Sequence, residues 1–378
     1  MEAAGVPRAA VARLPAPTVR GTRVRRHGHV LVKAKALAPQ AERVSVFAPA
    51  TVANLGPGFD FLGVAVEGQG DYVCARPLVG RPGTVIIEGI HGDEGRLSLL
   101  PEDNCIGVAA MEALKAMPDV ETGVSLFLKK GMPLGSGLGS SAASAAAAVW
   151  AVNALFGCPL SKEELVPAGL ASEAMVSGYH ADNVAPAILG DFVLVRRCIR
   201  GEPLELQQLS YGADDLWFVL VTPAFEAPTR KMRAALPKQV PFSAMVQNAS
   251  AGGALVASIL LGDARGLGEA LGSDTVVEPA RGPLIPGFAA VKRAAKEAGA
   301  YGCTISGAGP TCVAVVDSLA LGQKVAESMC GAFQSSGNLA IQRAAVVKLN
   351  KTGARIQEEG SGFDGQAHML VQGSWLPC

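Results

Sequence analysis

Aromatic residues are scarce, 5% of the 378 residues in the chain. So few rings exclude a stacking platform for single-stranded nucleic acid. No two of the eight cysteines (Cys74, Cys105, Cys158, Cys198, Cys303, Cys312, Cys330 and Cys378) stand at C-x-x-C spacing, and none neighbours a histidine in a zinc-like pattern. Most lie in apolar runs, as buried thiols do, so a reducing compartment is expected. The longest run of small apolar residues, Ala142 to Phe156, is too short and too rich in Ala and Ser to span a bilayer. No membrane partner is expected. Net charge is lacking too, with 33 basic residues against 33 acidic ones.

That balance hides an asymmetry. Residues 1–40 hold Arg8, Arg13, Arg20, Arg23, Arg25, Arg26, Lys33 and Lys35 against a single acid, Glu2. The remainder is mildly acidic and offers no electrostatic footprint for DNA or RNA, so no nucleic-acid partner is expected. The basic segment is rich in Arg, Ala, Val and Pro and has no continuous apolar stretch. It reads as an organelle transit peptide over residues 1–40, not a secretory signal.

What is abundant is small and apolar. Hydrophobic residues make up 49% of the chain and glycine occurs 45 times. This supports a substantial core, tight helix–sheet packing and either one large or two ordinary domains. Alternation predicts strands over Arg43–Pro49, Tyr72–Arg76, Thr84–Ile90, Val124–Lys129, Phe192–Arg196, Leu216–Val221, Tyr301–Ile305, Thr311–Val316 and Gln342–Lys348. Helical spacing predicts helices over Asn104–Met117, Ser140–Leu155, Lys162–Val176, Phe242–Leu261, Phe288–Ala298 and Leu321–Ser335. Ser161 and Glu164 form a capping box for the third of these. The order lacks regular βαβ alternation, so the fold class is α+β. Residues 355–378 look like an irregular tail.

The chemistry centres on Pro133, Leu134, Gly135, Ser136, Gly137, Leu138, Gly139, Ser140, Ser141, Ala142, Ala143 and Ser144. Three alternating glycines let backbone approach an anion and adopt positive φ. The serines open a helix whose first amides have no partner within the helix and lie at the positive end of its dipole. Together these make a phosphate cradle. A dinucleotide fingerprint would need glycine where Ser140 stands, and a phosphate loop of the Gly-Lys type is excluded because the chain has no Gly-Lys dipeptide. Taken alone, the segment has a lesser alternative, a tight turn before a buried Ala-rich helix.

Two further glycine turns flank strands: Ala48–Leu62 (APATVANLGPGFDFL) and Ser306–Thr311 (SGAGPT). In this order and at these separations the three segments resemble the GHMP kinase family over about residues 43–350. The resemblance implies a two-domain α+β fold: an N-terminal ATP-binding domain over 41–205, like the second domain of ribosomal protein S5, and a ferredoxin-like C-terminal domain over 206–354. It also implies ATP as co-substrate, held by Pro133–Ser144, and Mg²⁺ held by Ser141 and Glu173, since a hard cation takes oxygen ligands.

His180–Ala187 (HADNVAPA), VANLGPGFD and VVEPARGPLIPGF at Val276–Phe288 are similar to the branch that phosphorylates L-homoserine on the route to threonine. By that resemblance Arg233 and Arg281 hold the carboxylate, suited by the two-pronged guanidinium. Asp60 and Asn54 meet the ammonium group, and His180 and Asn183 are the catalytic pair that orients the hydroxyl. Asp182 reads as a structural group bonding backbone in its loop and stays outside this set. Several family members have an aspartate base near the acceptor hydroxyl. Here Asn183 stands in that place and cannot take a proton, so the expectation is direct attack on the γ-phosphate, driven by positioning and electrostatics. The resemblance further implies a homodimer and, with the basic leader, the chloroplast stroma. Two alternatives remain: another small-molecule kinase of the family, from isoprenoid synthesis, or a non-catalytic amino-acid or ATP sensor of the same fold.

Overall fold

A computed structural model describes residues 37–176 and 178–357. The expected transit peptide, up to residue 36, and the tail beyond 357 lie outside the described residues. The first half of the chain runs β1 (Val44–Ala53), β2 (Leu62–Leu78), β3 (Val85–His91), α1 (Cys105–Ala116), β4 (Gly123–Lys129), α2 (Ser140–Leu155), α3 (Lys162–Val176), α4 (Ala181–Leu189), β5 (Phe192–Arg197) and β6 (Glu205–Leu209). The second half runs β7 (Trp217–Pro223), α5 (Thr229–Ala234), α6 (Phe242–Leu261), α7 (Ala264–Leu271), α8 (Val277–Arg281), α9 (Phe288–Glu297), β8 (Gly302–Ile305), β9 (Cys312–Val316), α10 (Leu319–Gly337), β10 (Ile341–Lys348) and β11 (Arg355–Ile356). The α+β class holds, and every strand and helix expected above has a counterpart.

The larger sheet has seven strands in the order β11-β1-β2-β4-β3, with β5 on β2 and β6 on β5. β2 is its spine, pairing with β1, β4 and β5. Only β3 and β4 run parallel, because α1 carries the chain across between them. α1, α2 and α4 pack against this sheet, with α2 at the centre against β1 and β2, and α3 packs on those three helices. Almost every side chain of α2 is buried, all round the helix. Its run of alanines permits that crowding, since a bulkier residue would force strain on every side.

The smaller sheet has the order β10-β7-β9-β8 and the connectivity of a ferredoxin-like unit, with helices between β7 and β8 and α10 between β9 and β10. Alternation explains its uniformly apolar strands. Phe218, Leu220, Val313, Val315, Ala345 and Val347 point into the core shared with the larger sheet. Val219, Val221, Cys312, Ala314, Val316, Ala344 and Val346 point into a second core with α9 and α10. Both faces are covered, so the period-two polar signal disappears from the sequence.

Three features depart from the sequence expectations. Arg355 and Ile356 are not irregular: they pair with Phe47 and Val46, so the larger sheet continues past residue 354. The HADNVAPA segment is helical, and Asp182 lies in the first turn of α4, not in a loop. Among the described residues α6 is the one helix long and apolar enough in composition to cross a bilayer. It packs Gly252, Leu255, Ser258 and Ile259 into the protein and ties its Asn248 to Asp274 and Thr275 by hydrogen bonds.

Candidate active site

The loop before α2 is held from both sheets. Gly135, Gly137 and Gly139 have φ of 67°, 81° and 64°, a region L side chains avoid. Leu138 O accepts from Thr51 N at 3.1 Å, tying the loop to β1. Gly137 O accepts from Ser306 Oγ at 2.7 Å, and Ser136 O accepts from Thr311 Oγ1 at 2.6 Å. The turn Ser306–Thr311, with its cis Gly309–Pro310 peptide, therefore clamps the loop. The first motif joins as well: Asn54 Nδ2 donates to Gly307 O at 2.8 Å, and Gly307 N donates to Ala53 O at 3.1 Å. The three glycine segments, far apart in sequence, meet at one point.

α2 begins from Gly139, which has no side chain to cap it. The first amides of the helix thus face the cleft with the positive end of the dipole behind them. Ser136 Oγ and Ser140 Oγ are buried beside them without a protein partner, and both residues line the cleft, whose volume is about 340 Å³. Orphaned hydroxyls at a helix N-terminus suit phosphate oxygens.

Below the loop lies a network that sequence reasoning missed. Lys130 is buried and paired with buried Asp71. Lys130 Nζ also donates to Ser140 O and Ser144 Oγ, each at 2.9 Å, and Ser144 Oγ donates to Asp71 Oδ2 at 2.6 Å. Gly131 N completes the carboxylate's partners at 2.9 Å. This fully bonded group fixes the first turn of α2.

Ser141 Oγ donates to Glu173 Oε2 at 2.9 Å, bringing the two expected metal ligands together. Among the described residues no cluster of three acidic, His or Cys side chains exists to hold an ion unaided. A hydroxyl and a carboxylate fit Mg²⁺, which completes its shell with phosphate oxygens and water.

At the other end of the cleft stands the expected acceptor group. Asp60, at φ 62°, is held by Asn54, whose Oδ1 accepts from Asp60 N at 3.0 Å. Arg233 Nη1 and Nη2 donate to the two Asp60 carboxylate oxygens at 3.0 and 2.8 Å. Phe59 lies beneath both guanidinium groups, 5.3 Å from Arg233 and 4.9 Å from Arg281, and was not singled out from sequence. Arg281 is only 2% exposed; its Nε donates to Met232 O and its Nη1 to Gly307 O, each at 3.1 Å. Burial, reinforced by Arg233, lowers its pKa to about 10, so it stays charged at neutral pH.

His180 Nδ1 lies 3.6 Å from Asp60 Oδ2. Burial, with Arg233 and Arg281, outweighs Asp60 and lowers its pKa, which favours neutral imidazole. Asn183 Oδ1 accepts from Thr51 Oγ1 at 2.8 Å. That bond turns the amide's oxygen towards Thr51 and its NH₂ away. Asp182 is buried, its Oδ1 has no partner, and burial, then Asp60 and Glu173, push its carboxyl up to about 7. Asn54, Asp60, Glu173, His180, Asn183, Arg233 and Arg281 line one cleft together with Leu134–Gly137, Gly139–Ser141 and Ser144 of the loop, with Thr229, Leu97, Asn104 and Met175 beside them. Pro133, Leu138, Ala142 and Ala143, also expected to hold ATP, do not line it; the last three are buried in the core behind the loop.

The family models for the GHMP kinases N terminal domain and the GHMP kinases C terminal match residues 105–191 and 255–335. The homoserine kinase of Arabidopsis thaliana is 58% identical over 326 residues, 85% of this chain and 87% of that protein. That of Chloroherpeton thalassium is 43% identical over 306 residues, 79% of this chain and 94% of that protein. The crystal structure of homoserine kinase from Cytophaga hutchinsonii superposes with a TM-score of 0.79 at 39% identity, covering 86% of this chain and all of that one. The chain belongs to the GHMP kinase family. Within it, these relatives carry the name homoserine kinase.

Proposed function

We propose that this chain is a homoserine kinase, transferring the γ-phosphoryl group of ATP to the hydroxyl of L-homoserine to give O-phospho-L-homoserine. The observation that carries this reading is one cleft with a phosphate cradle at one end and a paired Asp60 and Arg233 beside buried Arg281 at the other. A free α-amino acid carries both an ammonium and a carboxylate. It can therefore satisfy Asp60 and the arginines together, where a sugar or an isoprenoid acid could not. ATP lays its phosphates on Pro133–Ser144, and Mg²⁺ is held by Ser141 and Glu173, where it neutralises phosphate charge.

The protein's own work is placement. Neutral His180 and the Asn183 amide hold the acceptor hydroxyl in line with the γ-phosphorus. The hydroxyl oxygen bonds to phosphorus as the bond to the leaving ADP oxygen breaks, and the hydroxyl proton passes to a phosphoryl oxygen. Asn183 serves as donor, because its own oxygen is committed to Thr51. Coupled assay of ADP release with homoserine, mevalonate and galactose tests the reading. Turnover with homoserine alone is the expected result, and none with homoserine would overturn it.

The basic leader and the plant relative support a chloroplast location. Fusion of residues 1–40 to a fluorescent protein tests it, with stromal fluorescence expected and cytosolic fluorescence contradicting it. The homodimer rests on family likeness and on the surface of α6. Phe242, Met245, Val246, Leu260 and Leu261 are exposed on a 20-residue helix without a single charge. A face that demands no opposite charge fits a second copy of itself across a two-fold axis. Val246→Glu combined with Leu261→Glu is expected to yield monomer in sedimentation equilibrium where the unmutated chain yields dimer.

A further inference from the structure

Arg281 ends a helix of five residues, too short to hold itself in place. The turn that opens α8 is fastened by Asp274, a buried carboxylate. Asp274 Oδ1 accepts from the amides of Val276 and Val277 at 2.9 and 3.2 Å, and Oδ2 from the amide of Glu278 at 2.6 Å. Asp274 is gripped in turn from α6, where Asn248 Nδ2 donates to its Oδ1 at 2.8 Å. The other end of the same Asn248 amide accepts from Thr275 N at 2.9 Å and Thr275 Oγ1 at 2.8 Å. Further along α8, Glu278 pairs with Lys292 of α9 and accepts from Thr304 Oγ1 of β8 at 2.9 Å. Lys292 also donates to Gly272 O at 2.9 Å. The short helix is thus anchored at its start by α6 and along its length by α9 and β8.

We propose that Asn248 and Asp274 are positioning residues for the acceptor substrate. They fix the direction of α8 and so the place of the Arg281 guanidinium in the cleft. Neither residue lines the cleft, and neither belongs to the three glycine motifs. The physical requirement is geometric. Arg281 spends two donors on Met232 O and Gly307 O and stacks on Phe59. Its remaining donors meet a carboxylate only if the backbone that carries them is held to a fraction of an ångström. The inference rests on the reading of Arg281 as the carboxylate holder.

The test uses Asn248→Leu, which keeps volume and removes both ends of the amide, and Asp274→Asn, which sets an NH₂ group against backbone amides. Each is made in the full chain and also in an Arg281→Ala background. Steady-state kinetics are read separately in homoserine and in ATP. The expected result is a rise of about tenfold or more in KM for homoserine with KM for ATP within about twofold, since acceptor binding alone is loosened. In the Arg281→Ala background the same substitutions add nothing to KM for homoserine, because the effect runs through that side chain. Unchanged KM values with only a lower Tm, or an equal rise without Arg281, would overturn the inference. If Asp274→Asn fails to accumulate, Asn248→Leu carries the test. Failure of the functional reading shows separately: the unmutated enzyme is then inactive on homoserine, and the same cycle is run on the acceptor it does use.

Discussion

At the scale of single residues the three loop glycines are not equivalent. A methyl group on Gly139 would lie 2.0 Å from Thr51 Oγ1 and 2.8 Å from Asn183 Oδ1, and one on Gly137 would lie 2.6 Å from Gly309 O and from Ser306 O. On Gly135 it would meet nothing nearer than Glu226 Cγ at 4.0 Å, leaving only the cost of φ near 67°, about 1 kcal/mol. Gly135→Ala is therefore expected to keep ATP binding within about tenfold. Gly137→Ala and Gly139→Ala lose it by about a hundredfold or more, as read by calorimetric titration with ATP. Equal effects at all three would contradict the clamped loop. Asp182 makes a pH-dependent prediction. Its carboxyl is raised to about 7 from an ordinary 3.8, so the folded chain holds a proton that the unfolded chain releases. Stability then falls as pH rises from about 4 to 7 and levels off above. Asp182→Asn removes that penalty: Tm rises relative to the unmutated chain at pH 8, by the equivalent of about 4 kcal/mol, and matches it near pH 4. Under direct attack Asp182→Asn also keeps kcat within about tenfold, and an essential base, seen as a fall in rate at low pH, that is lost from the pH–rate profile of Asp182→Asn would contradict that mechanism. Asp60, Glu173, His180, Asn183, Arg233 and Arg281 were legible because each sits inside or beside a recognisable segment. Lys130 was not. Beside Lys129 at the end of a strand it resembles a solvated pair, and its partner Asp71 is 59 residues away.

At the scale of elements, what can be read follows how periodic and how long each piece is. α1, α2, α3, α6, α9 and α10 carry their spacing in the sequence, and the capping box of α3 is present as expected, with Ser161 N donating to Glu164 Oε2 at 2.8 Å and Glu164 N to Ser161 Oγ at 3.2 Å. α5 and α8 were not foreseen, because six and five residues hold too little pattern. α4 was obscured by Pro186, which normally argues against a helix. β2 was foreseen only over Tyr72–Arg76, although it runs from Leu62 to Leu78, since its first half is interrupted by Gly63, Gly68 and Gly70, which weaken a strand pattern. The seat of α2 gives a prediction at this scale. Lys130→Met strands a buried Asp71 carboxylate and is expected to cost about 3–5 kcal/mol in denaturant unfolding. Lys130→Met with Asp71→Leu recovers part of that loss, because no charge is then left unpaired. An equal or greater loss in the double variant would show that the side chains' packing, not their charges, seats the helix.

At the scale of the whole molecule, the candidate cleft belongs to neither sheet alone. The larger sheet and its helices supply Asn54, Asp60, Glu173, His180 and Asn183, while the segments around the smaller sheet supply Arg233, Arg281 and the clamp at Ser306–Thr311. That division explains why the family's three motifs lie so far apart in sequence and why each is weak on its own. It also explains what could not be read: which strand lies beside which is fixed by pairings such as β10 with β7 and β11 with β1, made between residues more than a hundred positions apart. The measurement that bears most directly on the central claim is ³¹P NMR of a reaction with ATP, Mg²⁺ and L-homoserine. A phosphate-monoester signal that grows in step with ADP and coincides with added O-phospho-L-homoserine is the predicted result. Unchanged ATP, or ADP accompanied only by inorganic phosphate, would contradict the account.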